Sequence, residues 1–229
     1  AAGDNSLDGA PGALRFGDSF FSTDTNQFVV DVDGNGDVQD GVDLVINVAN
    51  FSASQVRYTV QTDAGGNTVT TGAGNDTIIG AAGNDLVTGG AGADTYTLAG
   101  GANVVTIGNT DSGMTVATAD TVTDFPAGTY AFELGAAGDA TANTGNYVEV
   151  ADADYNGDLT LILAALNTAA ATLASTSAAT ELYVFAQDTE AGAQRGYIGN
   201  DVDGDGTIDQ LIVLTGSNGD ASISAADFV

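Results

Sequence analysis

Residues 62–106 read TDAGGNTVT, TGAGNDTII, GAAGNDLVT, GGAGADTYT and LAGGANVVT when they are divided into consecutive nonapeptides without a gap. The fourth position is always glycine, the sixth is always aspartate or asparagine, and the eighth is always large and apolar. The three columns are Gly65, Gly74, Gly83, Gly92 and Gly101; Asn67, Asp76, Asp85, Asp94 and Asn103; and Val69, Ile78, Val87, Tyr96 and Val105. A repeat of fixed period indicates a fold made by stacking similar units, so this stretch decides the architecture.

Each column of the repeat has a physical reason. Glycine permits a tight turn with positive φ. Aspartate and asparagine supply hard oxygen ligands beside exposed turn carbonyls. The apolar residue belongs to a short strand and points inward. One nonapeptide is therefore a turn and a strand, which is half a coil, and turns on the same side belong to alternate nonapeptides.

The stacked turns predict metal ions between them. Neighbouring parallel strands lie ~4.8 Å apart, and carboxylates stacked at that spacing repel one another. A divalent cation between two turns converts this repulsion into coordination. We expect each ion to be coordinated by two sixth-position residues of stacked turns. The expected pairs are Asn67 with Asp85, Asp76 with Asp94, and Asp85 with Asn103. The turn glycines that we assign to these sites are Gly72, Gly74, Gly83, Gly90 and Gly92. The alternative is a flexible Gly/Asn linker, but five nonapeptides in one register with the apolar column kept argue against it.

This pattern resembles the RTX (repeats-in-toxin) nonapeptide G-G-x-G-x-D-x-U-x. The resemblance is strongest over residues 71–97, whereas the first and last nonapeptides carry asparagine at the sixth position. It implies a short parallel β-roll filled with calcium ions.

Composition restricts the function further. The chain of 229 residues has 31 acidic and three basic residues, a formal net charge of −28, and 43% apolar residues, enough for a core. Such a charge excludes nucleic acid as a partner, argues against an anionic membrane surface, and requires neutralisation by bound metal. The chain lacks cysteine and histidine, so zinc, copper, disulfides and Ser–His or Cys–His catalysis are not expected. No apolar run is long enough to span a membrane.

Two further segments have the spacing of calcium loops. Residues 31–37 (DVDGNGD) and 201–209 (DVDGDGTID) place oxygen ligands at positions 1, 3 and 5 and glycine at position 6. The bidentate glutamate of position 12 is replaced by Val42 and Ile212, and strand-like sequences flank both loops. We expect β-loop-β calcium sites; an acidic hairpin turn without an ion is the alternative. The candidate ligands are Asp31, Asp33, Asn35, Asp37 and Asp40 (or Asp43) in the first loop, and Asp201, Asp203, Asp205, Thr207 and Asp209 in the second.

The two loops lie in matching surroundings, which suggests a duplicated three-strand unit on either side of the roll. The first unit has strand-like sequences at 14–16, 28–30 and 44–46. The second unit has them at 182–185, 197–198 and 211–213. A third acidic stretch, 152–158, matches a calcium loop poorly. We favour Asp158 as the cap of a helix near Leu159 to Leu173, because apolar residues recur there at helical spacing.

The last residues, ISAADFV, resemble the uncleaved C-terminal signal of type I secretion substrates, and 121–125 (TVTDF) resembles the D-x-I-x-D-F segment that follows RTX blocks. No basic and apolar signal peptide is visible at the N-terminus. We expect a secreted protein at the cell surface or outside the cell, with the type I secretion machinery as a partner and calcium as the cofactor.

The expected fold is mostly all-β: an N-terminal β unit over 1–51, a β-roll over 52–125, and a β-rich cap with one helix over 126–229. The favoured function is a structural protein that folds on calcium binding and self-assembles into a surface layer or filament, like RTX-containing bacterial surface-layer proteins. The alternative is the C-terminal folding and secretion module of a larger RTX toxin, protease or adhesin. An enzyme is not expected, because Glu133, Glu149, Glu181 and Glu190 are scattered and read as surface or sheet-edge residues.

Overall fold

A computed structural model describes the backbone of three short strands before residue 48 and the residues 57–125, 129–140, 145–189, 195–216 and 223–229. The chain divides into two compact units, Ala1–Ser52 and Ala53–Val229.

The first unit contains a three-stranded antiparallel sheet. Its strands are β1 (Ser19–Ser22), β2 (Gln27–Val30) and β3 (Leu44–Asn47), and they pair in chain order. The strand that we predicted at 14–16 lies outside the described residues, and the described first strand is β1.

The repeats form the predicted roll. Its strands are β4 (Thr59–Gln61), β5 (Thr68–Thr70), β6 (Thr77–Ala82), β7 (Leu86–Thr88), β8 (Thr95–Gly100) and β9 (Ala102–Thr106). Even-numbered strands pair in parallel with one another, and odd-numbered strands do the same in a second sheet. Thr59 lies opposite Thr77, and Thr77 opposite Thr95, so each coil takes eighteen residues, or two nonapeptides. The half-coil prediction is confirmed.

The apolar column fills the interior between the two sheets. Ile78, Val87, Tyr96 and Val105 are fully buried. They belong to one core cluster, against which Val69 packs as a partly buried neighbour. The eighth position therefore points inward, as the repeat pattern predicts.

The second half of the chain extends the sheets of the roll. Its strands are β10 (Asp120–Val122), β11 (Thr129–Glu133), β12 (Tyr147–Glu149), β13 (Leu182–Asp188), β14 (Arg195–Asp201) and β15 (Gln210–Leu214). The larger sheet has eight strands in the order β12-β13-β14-β15-β10-β8-β6-β4, and the smaller has four in the order β11-β9-β7-β5. Strands β13, β14 and β15 form an antiparallel meander like β1–β3. The domain boundary that we predicted near residue 125 stays a prediction. Each of the two sheets contains strands from before and from after that residue.

The single α-helix of the described residues, α1 (Leu159–Ala174), lies where the apolar spacing predicts it. Asp158 is its N-cap and accepts a hydrogen bond from the Thr160 amide at 2.8 Å, so the capping prediction is confirmed. Ile162, Leu166 and Ala170 form the buried face of the helix and pack in a second core cluster with Val184, Tyr197 and Leu211. No helix in the described part of the chain has the length and apolarity needed to cross a membrane.

One acidic residue is placed differently from our expectation. Glu181 is only 8% exposed, whereas Glu133 and Glu149 are exposed as predicted. Its carboxylate accepts hydrogen bonds from the Ala136 amide at 2.8 Å and from Asn200 Nδ2 at 3.0 Å. These partners lie 45 and 19 residues away, so local sequence could not reveal this burial. Glu190 lies outside the described residues.

Candidate calcium-binding sites

The sixth-position side chains of the repeats form hydrogen-bonded ladders along the roll. One side-chain oxygen of Asp76, Asp85, Asp94 and Asn103 accepts the backbone N–H of the residue eighteen positions earlier. The Asn67 amide donates to Asp85 Oδ1 at 2.9 Å, the Asp76 amide to Asp94 Oδ1 at 2.7 Å, and the Asp85 amide to Asn103 Oδ1 at 3.0 Å. The structure therefore brings together the same three pairs that the sequence predicts.

The second carboxylate oxygens of this ladder are buried without a hydrogen-bond partner. They are the Oδ2 atoms of Asp76, Asp85 and Asp94. Each of these three residues is 1% exposed. Leaving ionised oxygens buried and unpaired is costly, and a coordinated cation removes the cost. Carboxylate oxygens are ligands that calcium prefers, so the residues present fit this ion.

The turn glycines let successive tiers approach closely. Gly92 has a φ of 145°, and a Cβ atom added to it would lie 2.0 Å from the Gly74 carbonyl oxygen. A Cβ atom added to Gly90 would lie 2.0 Å from the Gly72 carbonyl oxygen, and one added to Gly83 would lie 2.1 Å from the Gly65 carbonyl oxygen. The predicted glycines therefore lie at the contacts between stacked turns. Their assignment as carbonyl ligands stays a proposal.

Asp120 extends the ladder beyond the repeats, and the sequence analysis did not assign it. Its Oδ1 accepts the Asp94 amide at 2.8 Å, and β10 pairs with β8 in the register of the roll. Its Oδ2 is buried and unpartnered, as in the repeat aspartates. Twenty-six residues separate Asp120 from Asp94 instead of eighteen. The apolar residue two positions later, Val122, was the available signal, because it matches the sixth-to-eighth spacing of a nonapeptide.

The segment that lengthens this interval adds a third carboxylate. The Gly92 amide donates to the Asp111 carbonyl at 3.2 Å, in the same manner as the Gly74 amide donates to Ala91 at 2.8 Å. Residue 111 therefore takes the place of a turn residue in the next tier. Its carboxylate acts electrostatically on both Asp94 and Asp120. Asp111 therefore adds negative charge beside Asp94 and Asp120 at the end of the ladder, while its own Oδ2 accepts the Gly108 amide at 3.1 Å.

Burial raises the pKa of Asp94 to about 6 and that of Asp120 to about 8. Desolvation of the charged form is the main cause in both, and repulsion by the neighbouring carboxylates adds to it. The backbone N–H donors act in the opposite direction. In the folded roll without calcium, Asp120 is therefore mainly protonated at neutral pH, whereas Asp94 takes up its proton only as the pH falls to about 6.

We expect the calcium-stripped protein to regain strand structure as the pH falls from 8 to 5. Both folded-state pKa values lie above the ordinary value of 3.8, so in this range the folded state binds more protons than the unfolded state. Stability without calcium is then greater at low pH and is lost as the pH rises. Circular dichroism of protein stripped by dialysis measures this change. Equal strand content at pH 5 and pH 8 would contradict it, and saturating calcium, which should keep the protein folded at both values, is the control.

The loop 201–209 brings three of its four candidate carboxylates together. Asp201, Asp203 and Asp209 each place a carboxylate oxygen within 4.8 Å of the others. Asp205 is outside this group, and its Oδ1 instead accepts the Thr207 amide at 2.8 Å. Asp201 is fully buried and accepts the amides of Gly204 at 2.7 Å and Gly206 at 2.8 Å. Desolvation raises its pKa, which the backbone N–H donors partly offset.

The loop is also tied to helix α1. The Ile208 amide donates to Asn167 Oδ1 at 2.8 Å, and Ile208 is buried among the residues of the second core cluster. The first loop, with Asp31, Asp33, Asn35, Asp37 and Asp40, lies outside the described residues, and its metal site stays a prediction.

A parallel coil of eighteen residues per turn, with glycine turns and buried unpaired aspartate oxygens between tiers, defines a metal-binding β-roll. Residues 61–105 match the family model of the RTX calcium-binding nonapeptide repeat in four copies. The chain therefore carries an RTX β-roll, and calcium is its ion. Proteins with such repeats are typically exported by type I secretion. No curated protein matches the chain.

Proposed function

We propose that this chain is an extracellular structural protein whose roll folds when calcium binds. The main support for this proposal is the set of buried Oδ2 atoms of Asp76, Asp94 and Asp120, none of which has a hydrogen-bond partner. Without a cation, adjacent tiers bring these carboxylates together at a cost to stability. With calcium, the same groups become ligands, so binding energy becomes folding energy.

The charge of the whole chain supports this order of events. With 31 acidic and three basic residues, the calcium-free chain repels itself and stays open, which suits export before folding. Extracellular calcium modules need only weak affinity, with dissociation constants of ~10⁻⁴ to 10⁻³ M. Calcium outside the cell then completes folding.

The test is a calcium titration of the stripped protein at pH 8, followed by far-ultraviolet circular dichroism and by hydrogen exchange of residues 57–125. We expect strand signal and amide protection to rise together, with a midpoint in the submillimolar to millimolar range. Magnesium at equal ionic strength is the control, since it demands a stricter octahedral geometry and releases its water reluctantly. Full protection in the stripped protein at pH 8 would overturn the proposal.

Self-assembly into a layer or filament is the second part of the proposal. Strands β4 and β5 are the last strands of their sheets among the described strands, and both belong to the first coil of the roll. Their outer edges present backbone groups that can pair with a strand of a second copy. A contact of this kind that does not close on itself produces a polymer.

Electron microscopy with and without calcium tests assembly, and Thr70→Pro is the informative variant. The Leu86 amide donates to Asn67 and the Thr71 amide to Thr88, so by alternation the Thr70 N–H points away from β7. Proline there removes an outward donor and leaves the inner pairing. We expect calcium-dependent polymers from the native chain and fewer from the variant, at an unchanged melting temperature.

A persistent monomer in calcium would instead favour the alternative function, a folding and secretion module of a larger RTX toxin, protease or adhesin. The RTX region is a structural calcium-binding element and is not catalytic. We extend this to the chain as a whole and propose that it has no enzymatic activity of its own.

A further inference from the structure

We propose that Asn67 and Asn103 replace calcium ions with their own amide nitrogens, so that the calcium ions of the roll bind mainly along its other side. This inference rests on calcium binding by the repeats. The roll has two sides where its turns stack. We call the one with Asp76, Asp94 and Asp120 the aspartate side, and the one with Asn67, Asp85 and Asn103 the asparagine side.

Both amide atoms of Asn103 are already used. Its Oδ1 accepts the Asp85 amide at 3.0 Å, and its Nδ2 donates to the Leu98 carbonyl at 3.3 Å. The backbone N–H fixes this orientation, because an amide nitrogen cannot accept it. Asn103 is 1% exposed, so water does not compete for these bonds. It therefore lacks the second, unpartnered oxygen that an aspartate would present to a cation at this position.

Asp94 shows what aspartate does at the same repeat position. Its Oδ1 accepts the Asp76 amide at 2.7 Å, which matches the first bond of Asn103. Its second oxygen, in place of the donating Nδ2, is buried without a partner. An oxygen there cannot donate to a carbonyl, so only a cation or a proton satisfies it. The difference between the two residues is whether the side chain or an ion supplies the positive partner.

Asn67 acts in the same way within its own turn. Its Nδ2 donates to the Gly65 carbonyl at 2.8 Å and lies 3.2 Å from both the Asp63 carbonyl and Asp63 Oδ1. Turn carbonyls and a carboxylate are the ligands that a calcium ion would take at this place. The amide nitrogen therefore draws together oxygens that would otherwise need a metal.

The two sides consequently differ in charge. The aspartate side stacks three carboxylates, whereas the asparagine side has one sixth-position carboxylate, Asp85, with an amide in each adjacent tier. Repulsion between tiers is thus concentrated on the aspartate side, and so is the demand for calcium. The asparagine side is closed by hydrogen bonds without metal, except at Asp85 Oδ2, which is buried and unpartnered.

The test is the number of calcium ions bound per chain, measured by equilibrium dialysis and metal analysis. Asn103→Asp should bind one ion more than the native chain, and Asp94→Asn at least one fewer. Asn84→Asp is the matched control. Asn84 is exposed, and its Oδ1 accepts the Ala102 amide at 2.8 Å, so the variant adds the same charge to the asparagine side outside the ladder. It should bind the same number as the native chain.

An unchanged calcium number in Asn103→Asp, or an equal gain in Asn84→Asp, would overturn the inference while leaving calcium binding by the native chain intact. A native chain that binds no calcium would refute the proposed function itself, so the two failures are distinguishable. If Asn103→Asp does not fold in calcium, Asn67→Asp, in the half-exposed first coil, takes its place, with the same gain of one ion expected.

Discussion

Replacing Gly101 with alanine is expected to destabilise the calcium-bound protein by about 3 to 5 kcal/mol, the sum of backbone strain and overpacking. Gly101 has a φ of 106°, and an added Cβ would lie 1.9 Å from the Gly83 carbonyl oxygen of the tier below. That oxygen belongs to backbone and cannot move aside without opening the roll. Urea unfolding in saturating calcium measures the loss.

The adjacent glycine provides the control for this prediction. A Cβ added to Gly100 would meet only Ala82, at 3.9 Å, which is ordinary contact, and its φ lies outside the left-handed region. Gly100→Ala should therefore change the free energy of unfolding by less than about 1 kcal/mol. Similar losses in both variants would mean that the tiers of the roll do not stack as described.

Phe228→Ala is the second change with a large expected effect, a loss of about 3 to 5 kcal/mol. The Phe228 ring stacks on Tyr183 with centroids 4.4 Å apart and an angle of 2° between the rings. It also contacts Phe132 and Tyr147, with centroids 6.3 and 5.6 Å away. Because these partners come from both sheets, truncation leaves a cavity in the main core.

Thermal unfolding in calcium measures this effect, and Val229→Ala is its control. Val229 is 49% exposed, so removing its methyl groups should shift stability by no more than about 0.5 kcal/mol. A Phe228→Ala variant as stable as the control would contradict the described packing of the last residues against β11 and β13.

The roll was predictable because its information is local and repeated. The same three columns recur every nine residues, so turn, ligand and core positions could be assigned before any pairing was known. Helix α1 was predictable for a similar reason, since its apolar face and its cap lie within one short segment.

The continuation of the sheets into the second half of the chain was not predictable in this way. Strand β10 pairs in parallel with β15, and Asp120 lies opposite Ile212. No repeat relates these two segments, and the pairing depends on core packing between distant residues. Asp120 was missed as a ladder residue because the segment around Asp111 breaks the eighteen-residue interval.

The amide nitrogens of Asn67 and Asn103 show a further limit. From sequence, asparagine at the sixth position reads as a weaker oxygen ligand. Only the hydrogen bonds from the side-chain nitrogens to the Gly65 and Leu98 carbonyl groups indicate that an asparagine nitrogen can replace a calcium ion.

The eighteen-residue register also restricts how such a gene can change in length. Loss of residues 77–94 would remove one coil and leave Asp120 above Asp76 and Asn103 above Asn67, so every tier would keep its counterpart. Loss of a single nonapeptide such as 80–88 would instead set Asp94 above Asn67 and Asn103 above Asp76. We therefore expect duplications and deletions in pairs of repeats to be tolerated, whereas an odd number would mix residues of the aspartate side with residues of the asparagine side.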